Sequence, residues 1–198
     1  MALNANALLA MPEAKSYLKI TSEETDSVIE RMINSLSTEF ETATGRKVKQ
    51  QTLTDYRIDG NGECSILLPF VPVQAVTKVD IRYRDETVYK TITDTAKFVI
   101  KDKRLGLFGL LEDIFLCGER NILITMSVGF QAADVDWPTY QKHFLDQLTW
   151  DYQEWDKNIT GVTSRSLQDG SVQYLPRSRF IPKVQEFLEY SRDKRFLL

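Results

Sequence analysis

Histidine and cysteine are nearly absent from this chain of 198 residues, which holds one of the first and two of the second. The two thiols, Cys64 and Cys117, lie far apart among apolar neighbours. No C-x-x-C or Cys/His cluster accompanies them, which speaks against a zinc site. They read as half-buried thiols of a reducing compartment. The lone His143 sits beside Phe144 and Leu145. With no G-x-S-x-G elbow to present a nucleophile, it reads as a structural or surface histidine. No G-x-x-x-x-G-K-[ST] loop and no G-x-G-x-x-G turn is present to cradle phosphates. No apolar run approaches the roughly 20 residues that span a bilayer. The opening MALNANALLA lacks the basic start and full apolar core of a secretory signal. There is also no basic surplus: 25 Lys and Arg stand against 28 Asp and Glu, a formal net charge of -3. That argues against a dedicated nucleic-acid binder. These absences point to a soluble, cytoplasmically made protein with no catalytic, cofactor or metal residues and no membrane partner.

The composition that remains is that of a folded domain, 42% hydrophobic and 27% charged. Residues 12–19, PEAKSYLK, predict a short helix with Pro12 in its first turn, where the missing N–H is not needed. Thr21 and Glu24 have capping-box spacing. The apolar residues Val28, Ile29, Met32, Ile33, Leu36, Phe40 and Ala43 then recur at helical period. Gly45 is the stop. From residue 47 the period shortens. Val48–Ile58, Ser65–Leu68, the alternating Val79, Ile81 and Tyr83, then Val88–Ile92, Phe98–Ile100 and Asn121–Phe130 predict strands. LGLFGLLEDIFLCG, residues 105–118, fits neither period and reads as a loop or irregular hairpin packed on something else, such as a neighbouring subunit. Asp136-Trp137-Pro138 opens a second helical part with Tyr140, Phe144, Leu148, Tyr152 and Trp155 on one face. Residues 159–175 read as a polar loop, and Pro182 starts a last helix with Val184, Phe187 and Leu188 inward.

The expected fold is α+β. Terminal helices (parts 12–45 and 137–195) pack as a small bundle, with a central antiparallel β segment of about 47–130 inserted, in one domain spanning 1–198. Within it, Pro69-Phe70-Val71-Pro72 has the spacing of a polyproline ligand. Bulky aliphatics surround the prolines and the nearest downstream base is Lys78, so a buried corner ending a strand fits better.

Charge is distributed unevenly. Residues 134–157 carry six acids against two lysines, whereas 164–198 carry seven bases against four acids. An acidic and a basic face on one subunit suit head-to-tail contact, although an ordinary mixed-charge surface gives the same count. The acids Asp134, Asp136, Asp146, Asp151, Glu154 and Asp156 lack calcium-loop spacing and read as a solvated helix face. Trp150 falls off the apolar stripe of its helix, as a partly exposed residue or an interface anchor. Candidate partner-binding residues are therefore Trp150, Arg177, Arg179, Arg192, Lys194, Arg195, Phe196 and Leu197.

Four segments, in order, carry a family resemblance. MPEAKSYLKITSEETDSVIERMINSLSTEFETATGR resembles the opening of tailed-bacteriophage head–tail connector proteins, also called adaptor or head-completion proteins. LLPFVPVQAVTKVDI is similar to their apolar Pro-x-x-Pro-Val crossover. NILITMSVGFQAADVDWP resembles their strand, glycine-aromatic and proline-started helix, and SRSLQDGSVQY with IPKVQEFLEYSR their closing loop and helix. Residues 96–118 match least. The resemblance implies a structural virion protein of the neck, not an enzyme. It implies a homo-oligomeric, dodecameric ring beneath the portal protein that extends the DNA channel without specific DNA binding. That ring would dock a tail-side connector or tail-completion protein. The basic, then apolar tail, Arg192 to Leu198, would engage the portal, with Phe196 and Leu197 as anchors and the arginines paired to acids. The competing reading from residues alone is a DNA-binding or DNA-processing accessory protein using Arg177, Arg179 and the tail. An enzyme built on His143 and the acidic stretch is a third.

Overall fold

The computed structural model describes residues 2–82, 89–157, 164–167, 170–173 and 179–192. In chain order the elements are α1 (Met11–Leu18), α2 (Asp26–Thr44), β1 (Gln51–Gly60), β2 (Ser65–Leu67), β3 (Val73–Arg82), β4 (Tyr89–Ile92), β5 (Phe98–Asp102), β6 (Leu107–Leu110), β7 (Gly118–Val128), α3 (Trp137–Asp156), β8 (Ser164–Leu167), β9 (Gly170–Gln173) and α4 (Pro182–Ser191). The fold is α+β, with helices from both ends of the chain and antiparallel sheets. Two compact units result: a helical one from the residues up to Gly45 together with those from Val135, and a β unit from Arg46 to Asp134. Among the described residues no helix is long and apolar enough to cross a membrane.

The helical unit is organised by aromatic packing. Phe40 of α2 is fully buried and meets Phe144 of α3 edge to face at 5.3 Å and Phe180, just before α4, at 5.7 Å. Ile29, Ile33, Leu36, Leu148, Val184 and Leu188 close around these rings. Each such side chain contributes roughly 1.5–3 kcal/mol when buried, and an aromatic pair adds about 0.5–1.5 kcal/mol. Gly45 ends α2 in the left-handed conformation, its N–H donating to Glu41 O at 2.9 Å. The start of α2 differs from the capping-box expectation. Glu24 N–H donates to Ser22 Oγ at 3.2 Å, the Thr21–Glu24 box does not form, and the helix opens at Asp26. The short serine turn competes for the N–H that the box needs. The opening segment, read only for what it lacks, is part of the core: Ala7, Leu8 and Leu9 are buried. Ser37 Oγ accepts from Leu8 N–H at 3.0 Å and donates to Ile33 O at 2.7 Å. Between α3 and α4, β8 pairs antiparallel with β9 where a polar loop was expected. Four-residue strands are too short to show a period in sequence.

In the β unit a four-stranded sheet runs in the order β1-β7-β3-β4, and a three-stranded sheet in the order β2-β6-β5. All pairs are antiparallel. Ile122, Ile124, Met126 and Val128 of β7 all face inward, as their alternation predicts. Phe108, Leu110 and Ile66 from the small sheet join Val76, Val79 and Ile81 in the same core. The segment 105–118 therefore packs largely on its own unit. Phe108 and Phe115 are fully buried, with ring centroids 5.9 Å apart. Its period was hidden because Gly109 occupies an outward position and the strand lasts only four residues. Cys64 and Cys117 are exposed, not half-buried. The Pro-x-x-Pro stretch is a corner of this core: Leu68, Val71 and Val73 are inaccessible, Val71–Pro72 is cis, and Phe70 packs edge to face on Tyr56 at 5.2 Å.

One side chain stitches the end of β7 to β1. Buried Asn121 accepts from Gly60 N–H at 2.9 Å and donates to Leu116 O at 2.7 Å. Asn121→Ala leaves both backbone groups without a partner, so chemical denaturation should show a loss of about 2–4 kcal/mol. Asn121→Asp keeps the acceptor for Gly60 but turns a buried carboxylate oxygen toward Leu116 O, and should lose at least as much.

Candidate partner-binding surface

Acids and bases of the helical unit meet across elements in ways their sequence separation hides. Arg179, immediately before α4, closes a two-pronged contact on Glu39 of α2. Its Nε donates to Oε2 and its Nη2 to Oε1. Such a fork holds planar geometry better than a lysine would. The contact also holds the guanidinium above its usual range, with Glu39 as the main cause. Arg179 is therefore engaged within its own chain.

Beneath this pair lies a relay of buried polar groups. Gln147 of α3 is 1% exposed. Its Nε2 donates to Asp151 Oδ1 at 2.8 Å, and its Oε1 accepts from Ile181 N–H at 2.9 Å, where α4 begins. One amide thereby ties the start of α4 to the middle of α3. Burial pushes the Asp151 carboxyl up to about 6, against the opposing hydrogen bond from Gln147 and the nearby Arg179 charge. The expectation of a solvated acidic face fails here, because Asp151 points under the Glu39–Arg179 pair. Gln147 and Asp151 share a helix face by their i, i+4 spacing, but nothing in the sequence brings residues 39 and 179 to them.

The other acids of this stretch divide by role. Asp134 accepts from Gln131 N–H and Gln74 Nε2, both at 2.7 Å, and so shapes the turn after β7. Asp136 occupies the position before α3 but makes no side-chain cap. Asp146 accepts from Lys183 Nζ at 3.4 Å and Tyr17 Oη at 3.5 Å. His143 stacks on Phe187 with ring centroids 4.2 Å apart, and its Nδ1 is buried without a partner. Burial and then the Lys183 charge pull it below the ordinary imidazole value. The imidazole packs as a flat aromatic surface on Phe187. Among the described residues no three His, Cys, Asp or Glu side chains converge as a metal site would require.

The exposed residues of α3 include Lys142 nearer its start and, toward its end, Trp150, Gln153, Trp155 and Asp156. Trp150 is 36% exposed and Trp155 is 40% exposed, and Asp156 is exposed beside them. Arg192 is exposed just beyond α4. Arg177, Lys194, Arg195, Phe196 and Leu197 lie outside the described residues. Thus Trp150 and Arg192 are available for contact, and Arg179 is tied to Glu39.

A family profile described as head completion protein matches residues 7–192. No curated protein matches. Among solved structures, a chain from the neck of an empty GTA particle, computed with C6 symmetry, is similar with a TM-score of 0.56. The identity is 13%, covering 97% of this chain and 93% of that one. A chain from the neck of a native GTA particle computed with C12 symmetry has a TM-score of 0.53 at 16% identity, covering 97% and 95%. A chain from the virion of a native gene transfer agent (GTA) particle also reaches 0.53, at 15% identity, covering 97% and 92%. At these identities the likeness is one of fold.

The raised Asp151 has a signed consequence. Between the ordinary carboxylate value and about 6, the folded protein holds a proton that the unfolded chain has released, so stability falls as pH rises through that window. The upper bound is about 3 kcal/mol at neutral pH. His143, being lowered, acts oppositely and loses stability as pH falls below its unfolded value. Asp151→Asn should raise the thermal midpoint at pH 7 and flatten the profile between pH 4 and 6, as measured by calorimetry.

Proposed function

The chain belongs to the head completion protein family, and from that premise we propose that it is a structural component of the neck of a tailed-phage-like particle. In this reading it forms a ring beneath the portal, extends the DNA channel and offers the docking surface for the tail or the next connector. The family profile spanning residues 7–192 carries the proposal. The fold likeness to neck chains of gene transfer agent particles, over 97% of this chain, supports it. The C12 symmetry of one of those necks supports a twelve-membered ring. Such a ring needs a heterologous contact whose rotation closes, and exposed Trp150 and Trp155 are side chains of the type that anchor such contacts.

The portal contact is assigned to the end of the chain, Arg192 to Leu198. Charge-assisted pairs from Arg192, Lys194 and Arg195 to portal acids would flank Phe196 and Leu197 as apolar anchors. Genomic DNA would pass through the channel without specific binding, in keeping with the net charge of -3. The protein's role is assembly rather than catalysis. In the competing DNA-binding reading, Arg179 is a weakened candidate, since Glu39 already occupies its guanidinium.

Negative-stain microscopy of the purified protein, alone and mixed with portal, tests the reading. Portals with an added collar are the expected result, and bare portals at saturating protein would overturn it. Deleting residues 192–198 should abolish collar formation, with the thermal midpoint measured alongside and expected within about 2 °C of the parent. Steep salt-dependent retention of duplex DNA by the intact protein would favour the competing reading.

A further inference from the structure

The outer face of the three-stranded sheet carries apolar and basic side chains, of which Val99 and Leu107 are half-buried and Lys101 and Leu67 are exposed. Along β5, β6 and β2, residues alternate between the core and this face. Phe98, Ile100, Phe108, Leu110 and Ile66 turn inward, and Val99, Lys101, Leu107, Ser65 and Leu67 turn outward. Leu67, at the end of the edge strand β2, is 56% exposed and pairs with Leu107 of the central strand β6. At the same end, Leu105 on the β5–β6 connection is 49% exposed.

That connection is built, not slack. Asp102 Oδ1 accepts from Arg104 N–H at 2.8 Å and Leu105 N–H at 2.9 Å, and Val73 N–H donates to Lys103 O at 3.0 Å. Lys101 lies across the face with its Nζ on Ser65 Oγ. Gly109 makes room for it, since a Cβ there would meet Lys101 Cε at 3.2 Å. Lys101, Lys103 and Arg104 thus rim an exposed leucine pair.

The counterpart in charge and character is the C-terminal turn of α3. Glu154 and Asp156 stand in or beside that turn, which has no basic residue of its own before Lys157. A helix C-terminus favours cations, so these acids cost the helix stability and call for another cause. Trp150 and Glu154 are one turn apart on the same side, and Trp155 is exposed beside them. Tryptophan faces attract guanidinium and ammonium groups as well as leucine side chains.

Resting on the ring reading above, we infer that the β5–β6 hairpin face of one copy, Leu67 and Leu105 rimmed by Lys101 and Lys103, docks on the acidic tryptophan end of α3 in the next copy. Each chain carries both halves, so the contact is head-to-tail and propagates until the rotation closes. A duplex is a poorer occupant, because phosphates would meet the bases but leave two exposed leucines uncovered. This assignment places the acidic half on α3, as the charge count suggested, and moves the basic half from residues 164–198 to the hairpin.

A charge-swap cycle tests it, using full-length protein and portal with collars counted by microscopy. Lys103→Glu alone and Asp156→Lys alone should each reduce collar occupancy about tenfold at limiting protein, and the double variant should restore it to within about threefold. Both positions are exposed, so thermal midpoints should match the parent and exclude misfolding. If the double variant is no better than the product of the singles while the parent forms collars, the interface is wrong and the ring reading survives. If the parent forms no collar, both fall. Loss of duplex retention by Lys103→Glu, with Asp156→Lys collecting on portal normally, assigns the hairpin to DNA and overturns the inference.

Discussion

The β unit depends on one strand being held from both sides. β7 pairs with β1 along one edge and β3 along the other, and both partners come many residues earlier in the chain. β7 is the partner that β1 and β3 share. Its Ile122, Ile124, Met126 and Val128 join Val76, Val79 and Ile81, together with Ile66 and Phe108 of the small sheet, in one core. Register is specified by this alternation, since a slip of one residue would turn the whole set toward solvent. Asn121 then fixes the position along the strand by bonding to Gly60 and Leu116.

The helical unit solves a different problem, joining segments from opposite ends of the chain. Phe40 supplies the apolar contact, and the polar relay from Ile181 through Gln147 to Asp151 fixes where α4 starts along α3. A relay of this kind costs desolvation, visible in the raised Asp151 carboxyl, and offers specificity of position in return.

Surface chemistry follows from what the two cores leave outside. Phe115 and Phe108 take the interior, and Leu67, Leu105 and Lys101 are left on the outer side of the small sheet. On α3 the stripe of Tyr140, Phe144 and Leu148 is satisfied inside, and Trp150 and Trp155 remain outside. Tryptophan is enriched at protein contacts relative to the rest of the surface.

The α+β class, the helices at both ends, the stop at Gly45, the buried Pro69–Pro72 corner and the inward face of β7 were legible because each is written in local periodicity or in the backbone limits of glycine and proline. The family resemblance was legible for the same reason, as ordered local patterns. The true start of α2 was not, because a serine turn competes with a capping box over the same few residues. Nor were the core role of Leu8 and Leu9, the packing of 105–118, the β8–β9 hairpin and the Glu39–Arg179–Asp151–Gln147 cluster. Local pattern determined which residues prefer to be buried and in what element. Tertiary structure alone decided which buried faces meet, because contacts between residues 39 and 179 or 60 and 121 are set by packing and register and leave no spacing in the sequence.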